Sequence, residues 1–398
     1  MSRINELLTR GVAEIIEEQS LKQRLASGKK LVVKLGIDPT ASKLHLGHYL
    51  VLQKLRDFQD AGHQAVLVIG DFTATIGDPS GRTTKRVALT KQKIKENMKD
   101  YTTQAGKIVD LGRAKTVYNS SWFNNLGIDG IIELASKATF SQIMERKEFR
   151  TRLKRDHLSM LESFYPLLQG YDSVKLAADV EIGGLDQKLN LLMGRQIQKR
   201  YGQKEQDIVL TPLLRGLDGV EKMSKSAGNY IAFADSAENI FGKIMSIPDS
   251  LMREYFIYCS RVPNEQIDTV FSDLSNKKIT PIEAKKKLAY EIVRVYYDEG
   301  WAVKARREFE RVFQEKGEPR PTILAIGAEQ KIKALDFLIK NKLASSKSAA
   351  RRLIIQGGFK IDGQQIRDPK TMVTLKKGLN LRLGKFKSLE IILKGGQK

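Results

Sequence analysis

The sequence predicts an α/β protein with a parallel-sheet domain first, an α-helical region next and a small basic α+β domain at the end. Three observations carry this. Strand-like and helix-like segments alternate within the first ~70 residues, as a βαβ unit requires. Residues 231–316 have helical patterning and dense charge. The last 68 residues concentrate the positive charge.

In order along the chain, residues 5–27 read as one amphipathic helix, with Leu7, Leu8, Val12, Ile15 and Ile16 on one side. Leu31 to Ile37 is an apolar run rich in β-branched residues, hence a buried strand. Residues 46–61 have helical spacing through Leu46, Leu50, Leu52, Leu55 and Phe58, and Ala65 to Gly70 is a second strand. Parallel sheets of this kind hold ligands at the carboxyl ends of their strands. Segments 90–110 and 128–150 read as helices, and Ser163 to Gln187 forms a further cluster. Gly317-Glu318-Pro319-Arg320-Pro321 reads as a linker. Beyond it, helices are expected near 333–341 and 346–356, and strands near 359–361 and 379–383. The expected divisions are therefore 1–230, a Rossmann-like domain with an inserted helical segment, then 231–316, helical, then 317–330, a linker, and finally 331–398.

Composition narrows the function. The single cysteine, Cys259, excludes a disulfide framework and a cysteine metal cluster. No apolar run approaches the ~20 residues of a membrane span, and the first residues lack the apolar core of a secretory signal. A cytoplasmic location, away from membranes, is expected. Net charge is +22. From Lys331 onward there are 17 Lys/Arg and 4 Asp/Glu. An ordinary solvated surface would spread its charge. This concentration points to a polyanion, and nucleic acid is the natural one.

Two short segments carry chemistry. The first strand runs into Asp38-Pro39-Thr40, and His45-Leu46-Gly47-His48 opens the following helix. A helix start offers free N–H groups to phosphate, and Gly47 leaves room for a flat base. Four such letters also recur by chance. A zinc site is the other use of paired histidines, but with four His and no nearby Cys it lacks ligands. His63, after Gly62, reads as a structural imidazolium at a helix C-terminus. The second segment, Lys222-Met223-Ser224-Lys225-Ser226, follows a turn sequence and places two lysines on a flexible loop, suited to the charge on a leaving phosphate.

Together these segments resemble the HIGH and KMSKS motifs of the class I aminoacyl-tRNA synthetases. Tyr165-Pro166-Leu167-Leu168-Gln169-Gly170-Tyr171-Asp172 is similar to the tyrosine branch's Tyr-x-x-x-Gln-x-x-Asp pattern. The resemblance implies an enzyme using ATP with Mg²⁺, L-tyrosine and tRNA(Tyr), active as a homodimer. It implies Tyr165, Gln169 and Asp78 at the substrate's ammonium and Asp172 at its phenol, with Lys34, Asp38 and Gln187 also in the tyrosine site. It implies Thr40, His45, His48, Lys222 and Lys225 as catalytic, and Gly47, Gly184, Asp186, Met223, Ser224 and Lys225 as ATP-binding, with no protein metal site. Two positions depart. Leu185 stands where the family has Thr or Ser, removing a hydroxyl, and Lys34 occupies a position where one branch has a tyrosine. The tail, from Leu343 through Gly357-Gly358 to Gly363, resembles the small S-four RNA-binding domain, which implies phosphate contacts from Lys347, Arg351, Arg352 and Lys360. A non-enzymatic RNA-binding relative and a tryptophan ligase are the competing readings. Amino-acid-dependent exchange separates them.

Overall fold

The computed structural model describes residues 3–80, 89–145, 147–154, 159–313, 321–341, 343–344, 346–384 and 387–393. His157 and the linker residues 317–320 lie outside them. The chain forms two compact units, Met1–Ala302 and Val303–Lys398.

The first unit is built on a six-stranded sheet: β1 (Glu14–Ile16), β2 (Val32–Ile37), β3 (Gln64–Ile69), β4 (Lys115–Tyr118), β5 (Val180–Gly184) and β6 (Asp207–Thr211), in the order β1-β6-β5-β2-β3-β4. All pairs are parallel except β1 with β6. Continuous apolar runs make the central strands. Val66, Leu67, Val68 and Ile69 of β3 are all buried, as strands covered on both faces require. The chain leaves β2 toward β3 on one side and returns to β5 on the other. The gap between the carboxyl ends of β2 and β5 is thus the switch point where such sheets take ligands.

The single helix expected over 5–27 is instead a helix (Arg3–Thr9), the edge strand β1 and a second helix (Glu18–Ala26). Gly11 and Glu17 adopt positive φ and break the helix. Between them Glu14 to Ile16 pair with Ile208 to Leu210, so the sheet edge overrides helical spacing. The stretch 90–110 likewise splits into Lys91–Met98 and Tyr101–Ala105. Helix Leu46–Asp60 forms as expected. The helices from Ala237 to Tyr296 belong to the same unit as the sheet: Tyr296 meets Tyr49 of helix Leu46–Asp60 with ring centroids 5.5 Å apart.

The second unit has a five-stranded sheet and a two-stranded one. Its strands are β7 (Pro321–Ile326), β8 (Gln330–Lys333), β9 (Phe359–Ile361), β10 (Gln364–Ile366), β11 (Met372–Leu375), β12 (Asn380–Leu383) and β13 (Lys387–Leu393), ordered β10-β9-β12-β13-β7 and β11-β8. Residues 321–326, expected as linker, are therefore a strand parallel to β13, and 330–333 pair with β11. Phe337, Ile354, Phe359, Leu375 and Ile391 form the core. Gly357 turns the chain into β9 at φ +70, where a Cβ would also lie 2.5 Å from the Gln365 amide.

Candidate active site

A cavity of about 690 Å³ opens at the switch point between β2 and β5. Its wall brings together segments more than 180 residues apart. Thr40, His45, Gly47, His48, Asp38, Asp78, Tyr165, Gln169, Asp172, Gly184, Asp186, Gln187, Lys222, Met223, Ser224 and Lys225 all line it. Every tyrosine-site, ATP-site and catalytic residue expected from the sequence is there except Lys34. Lys34 is wholly buried beneath the wall, paired with Glu181 at 2.9 Å. The alternation of β2 turns Leu35 and Lys34 to opposite faces, and Lys34 falls on the face covered by helix Met160–Leu176. Leu185 is exposed and does not line the cavity, so its missing hydroxyl leaves no gap in the wall.

The helix start differs from expectation. His45 is its N-cap, with extended backbone, and its Nδ1 accepts from the Gly47 amide at 3.1 Å. The His48 amide donates to the His45 carbonyl, and the Leu46 amide to that of Ile231. The first-turn N–H groups are thus used within the protein rather than free for phosphate. His48 Nδ1 accepts from the His45 amide at 3.3 Å. Each ring therefore carries its proton on Nε2, leaving that nitrogen as a donor. Burial and the nearby Lys225 hold His48 down at about 3, and burial and His48 hold His45 well below its usual value. Both rings are neutral donors at neutral pH. A Cβ at Gly47 would sit 3.0 Å from the His45 ring, which would have to shift to admit it.

The lysine loop is anchored rather than loose. Met223 is buried, and its amide donates to the Leu214 carbonyl. Asn229 Oδ1 accepts from the Ser224 amide at 2.8 Å, and the Asn229 amide group reaches Asp218 and the Lys222 carbonyl. Asp218 caps the turn through the amides of Val220 and Glu221. Lys222 pairs with Asp186 across the cavity. Burial, then the neighbouring charge of Lys43, lowers Lys225 to about 8.

Tyr165, Gln169 and Asp172 lie at i, i+4 and i+7 of helix Met160–Leu176, which places them on one face. Tyr165 donates to Asp38 Oδ2 at 3.0 Å, and Thr73 donates to Asp38 Oδ1. Asp78 accepts from Gln187 at 2.7 Å and from the Ser80 amide at 2.9 Å. Asp172 accepts from Trp122 Nε1 at 2.9 Å and from Asn119 at 3.3 Å. Burial pushes the Asp172 carboxyl up to about 7 against the opposing pull of Lys34. Asn119, Trp122, Thr73, Glu181 and Asn229 were not found by sequence reasoning. Asn119 and Trp122 share the short helix after β4, while Thr73, Glu181 and Asn229 come from other segments, and no short pattern links them to the site. His63 is structural, but as a neutral acceptor for the Leu31 amide, since burial lowers it. Among the described residues no group of three or more His, Cys, Asp or Glu side chains could hold a metal ion, and no helix is long and apolar enough to cross a membrane. In the second unit Lys347, Arg351 and Arg352 are exposed on helix Lys347–Ile355, while Lys360 lies half-buried on β9.

Residues 26–314 match the family described as tRNA synthetases class I (W and Y), and residues 335–377 match the S4 domain. The tyrosine–tRNA ligase of Moorella thermoacetica is 45% identical over 97% of this chain and 95% of that protein. That of Thermotoga maritima is 46% identical over 97% of this chain and 96% of that protein. Two solved structures share the fold. A C-terminally truncated mitochondrial tyrosyl-tRNA synthetase from Aspergillus nidulans has a TM-score of 0.67 at 22% identity, covering 78% of this chain and 94% of that one. The tyrosyl-tRNA synthetase of Archaeoglobus fulgidus complexed with L-tyrosine has a TM-score of 0.61 at 24% identity, covering 76% of this chain and 98% of that one.

Proposed function

The chain belongs to the tyrosine–tRNA ligases within the class I tRNA synthetases, and from that membership we propose how its cavity divides the work. The enzyme charges tRNA(Tyr) with tyrosine at the expense of ATP. In the first step a tyrosine carboxylate oxygen attacks the α-phosphorus of ATP. The bond to the bridging oxygen breaks and pyrophosphate leaves with its electrons. The carboxylate is already ionised, so no general base is needed. Rate then comes from positioning and from charge placed where it develops.

Lys222 and Lys225 supply positive charge to the leaving pyrophosphate. The Nε2–H groups of His45 and His48 donate to phosphate and nucleotide oxygens without a charge of their own, and Thr40 adds a hydroxyl. Asp186 and Gly184 hold the ribose, with Met223 and Ser224 closing the nucleotide side. Asp78 and Gln169 take the substrate's ammonium, helped by Tyr165, Gln187 and Asp38, and Asp172 takes its phenol hydroxyl. Mg²⁺ arrives on ATP, held by phosphate and water oxygens. In the second step a ribose hydroxyl at the tRNA 3′ end attacks the acyl carbon and the adenylate leaves as AMP.

The single observation that carries this division is the convergence of the two motif segments and one face of helix Met160–Leu176 on one cavity. Helices 231–316 serve the anticodon region of tRNA, and Lys347, Arg351, Arg352 and Lys360 contact phosphates in the S4 domain. The exposed Ile128, Ile131, Ile132, Phe140, Met160 and Leu161 supply an apolar surface for a homodimer in the cytoplasm. ATP–pyrophosphate exchange tests the site. Exchange should depend on tyrosine and not on tryptophan, and tryptophan-dependent exchange would overturn the assignment of Asp172.

A further inference from the structure

Beneath the cavity lies a charged cluster that touches no reacting atom. Lys34 and Glu181 are 0% and 1% exposed and sit directly opposite each other on β2 and β5, the strands flanking the switch point. Lys34 Nζ meets Glu181 Oε1 at 2.9 Å, the Gln169 carbonyl at 2.9 Å and Ser173 Oγ at 2.8 Å, which uses all three of its protons. Glu181 accepts from Gln169 Nε2 at 3.2 Å, from Ser173 Oγ at 3.2 Å and from Gln206 Nε2. Taking two charges out of water gains little stability, because the desolvation cost rivals their attraction. Stability alone therefore gives no reason for the pair.

Its geometry gives one. A carboxylate can only accept, so Glu181 fixes the Gln169 amide with its NH₂ pointing inward. Gln169 also lines the cavity, so with Nε2 committed to Glu181 its amide has the acceptor Oε1 to offer an ammonium there. We propose that Lys34 and Glu181 are positioning residues of the amino-acid site, setting Gln169 as an acceptor for the substrate's ammonium and supplying a positive charge behind Asp172. This rests on the tyrosine-site reading of Gln169 and Asp172. Asp172 is faced by Lys34 from β2, Glu181 from β5, Tyr165 from its own helix, and the neutral donors Asn119 and Trp122 from the segment after β4. Lys34 opposes the effect of burial on Asp172 more strongly than Glu181 adds to it.

The test uses the full chain carrying K34M and E181M together, which removes both charges without stranding either, and E181Q alone, which keeps volume and hydrogen bonding. Tyrosine-dependent ATP–pyrophosphate exchange is followed against tyrosine, ATP and pH. In both variants KM for tyrosine should rise at least ~10-fold, the loss of one hydrogen bond to a charged group, with KM for ATP unchanged. In the double variant the acid limb of kcat/KM for tyrosine should also move to higher pH, because the opposing charge of Lys34 is gone. A KM for tyrosine within twofold of the parent in E181Q, or in the double variant with an unmoved acid limb, would overturn the proposal. So would a uniform fall in kcat with both KM values unchanged. Failure of the parent enzyme to exchange with tyrosine would instead overturn the site reading itself.

Discussion

Lys222 forms an ion pair with Asp186, tying the lysine loop after β6 to the 3-10 turn after β5 across the cavity. Lys222 is half exposed and Asp186 about one-fifth, so the pair contributes little to stability. Its meaning is competitive. In the proposed division of the cavity ATP places its ribose at Asp186 and its phosphates at Lys222, so each ligand group would replace one partner of the pair. Lys222→Ala should slow adenylate formation by about 10²–10³, the usual cost of one charge-stabilising donor, and leave KM for tyrosine unchanged. Single-turnover measurement of tyrosyl-adenylate decides this, and an undiminished burst would remove Lys222 from the mechanism.

Lys225 gives a pH signature. Its ammonium loses its proton near pH 8 in the empty enzyme, because burial and Lys43 both disfavour the charge. As pH rises past 8 the free enzyme loses positive charge, so kcat/KM for ATP should fall on the alkaline side. In kcat the limb should move to higher pH, since bound phosphate favours the protonated form. Lys225→Arg keeps the charge at all these pH values and should abolish the limb. A limb that persists in Lys225→Arg belongs to another group.

Asp172 titrates in the opposite sense. With its carboxyl held up at about 7, it is ionised above that pH and protonated below. In its proposed role the ionised form accepts a hydrogen bond from the substrate's phenol hydroxyl, so kcat/KM for tyrosine should fall as pH drops below 7. Asp172→Asn should lower tyrosine activation about 10- to 150-fold, the range for losing a hydrogen bond to a charged group. It should also flatten the acid limb and shrink the preference over phenylalanine. An unchanged tyrosine-to-phenylalanine ratio would show that the phenol is read elsewhere.

The two chemical steps should separate when the chain is cut after Arg320. This removes every strand of the second unit's sheets, beginning with Pro321, and leaves the compact first unit whole. Adenylate formation should continue near the full-length rate. Transfer to tRNA should drop, and the steep loss of tRNA binding with salt should become shallower, because the phosphate contacts proposed for Lys347, Arg351, Arg352 and Lys360 would be gone. Equal charging by both chains at every salt concentration would show that the S4 domain is not the tRNA-binding element.

The sequence by itself determined strands β2 and β3, helix Leu46–Asp60, the two motif segments and the spacing of Tyr165, Gln169 and Asp172. Each is a local pattern: an apolar run, a helical period or a short spacing, set by neighbours a few residues apart. The same logic failed at 5–27, where Val12, Ile15 and Ile16 satisfy a helix on paper and Glu14 to Ile16 form a sheet edge in the fold. It failed again at Pro321–Ile326, where a breaker-rich segment runs into a strand because β13, more than 60 residues later, offers it a partner. Only the tertiary structure decided that Lys34 lies under the cavity rather than in its wall, and that Asn119 and Trp122 hold Asp172. These facts depend on which side chains from distant segments meet in a low-dielectric interior. There each buried polar group must find a partner, and the identity of that partner is set by strand order, not by sequence spacing.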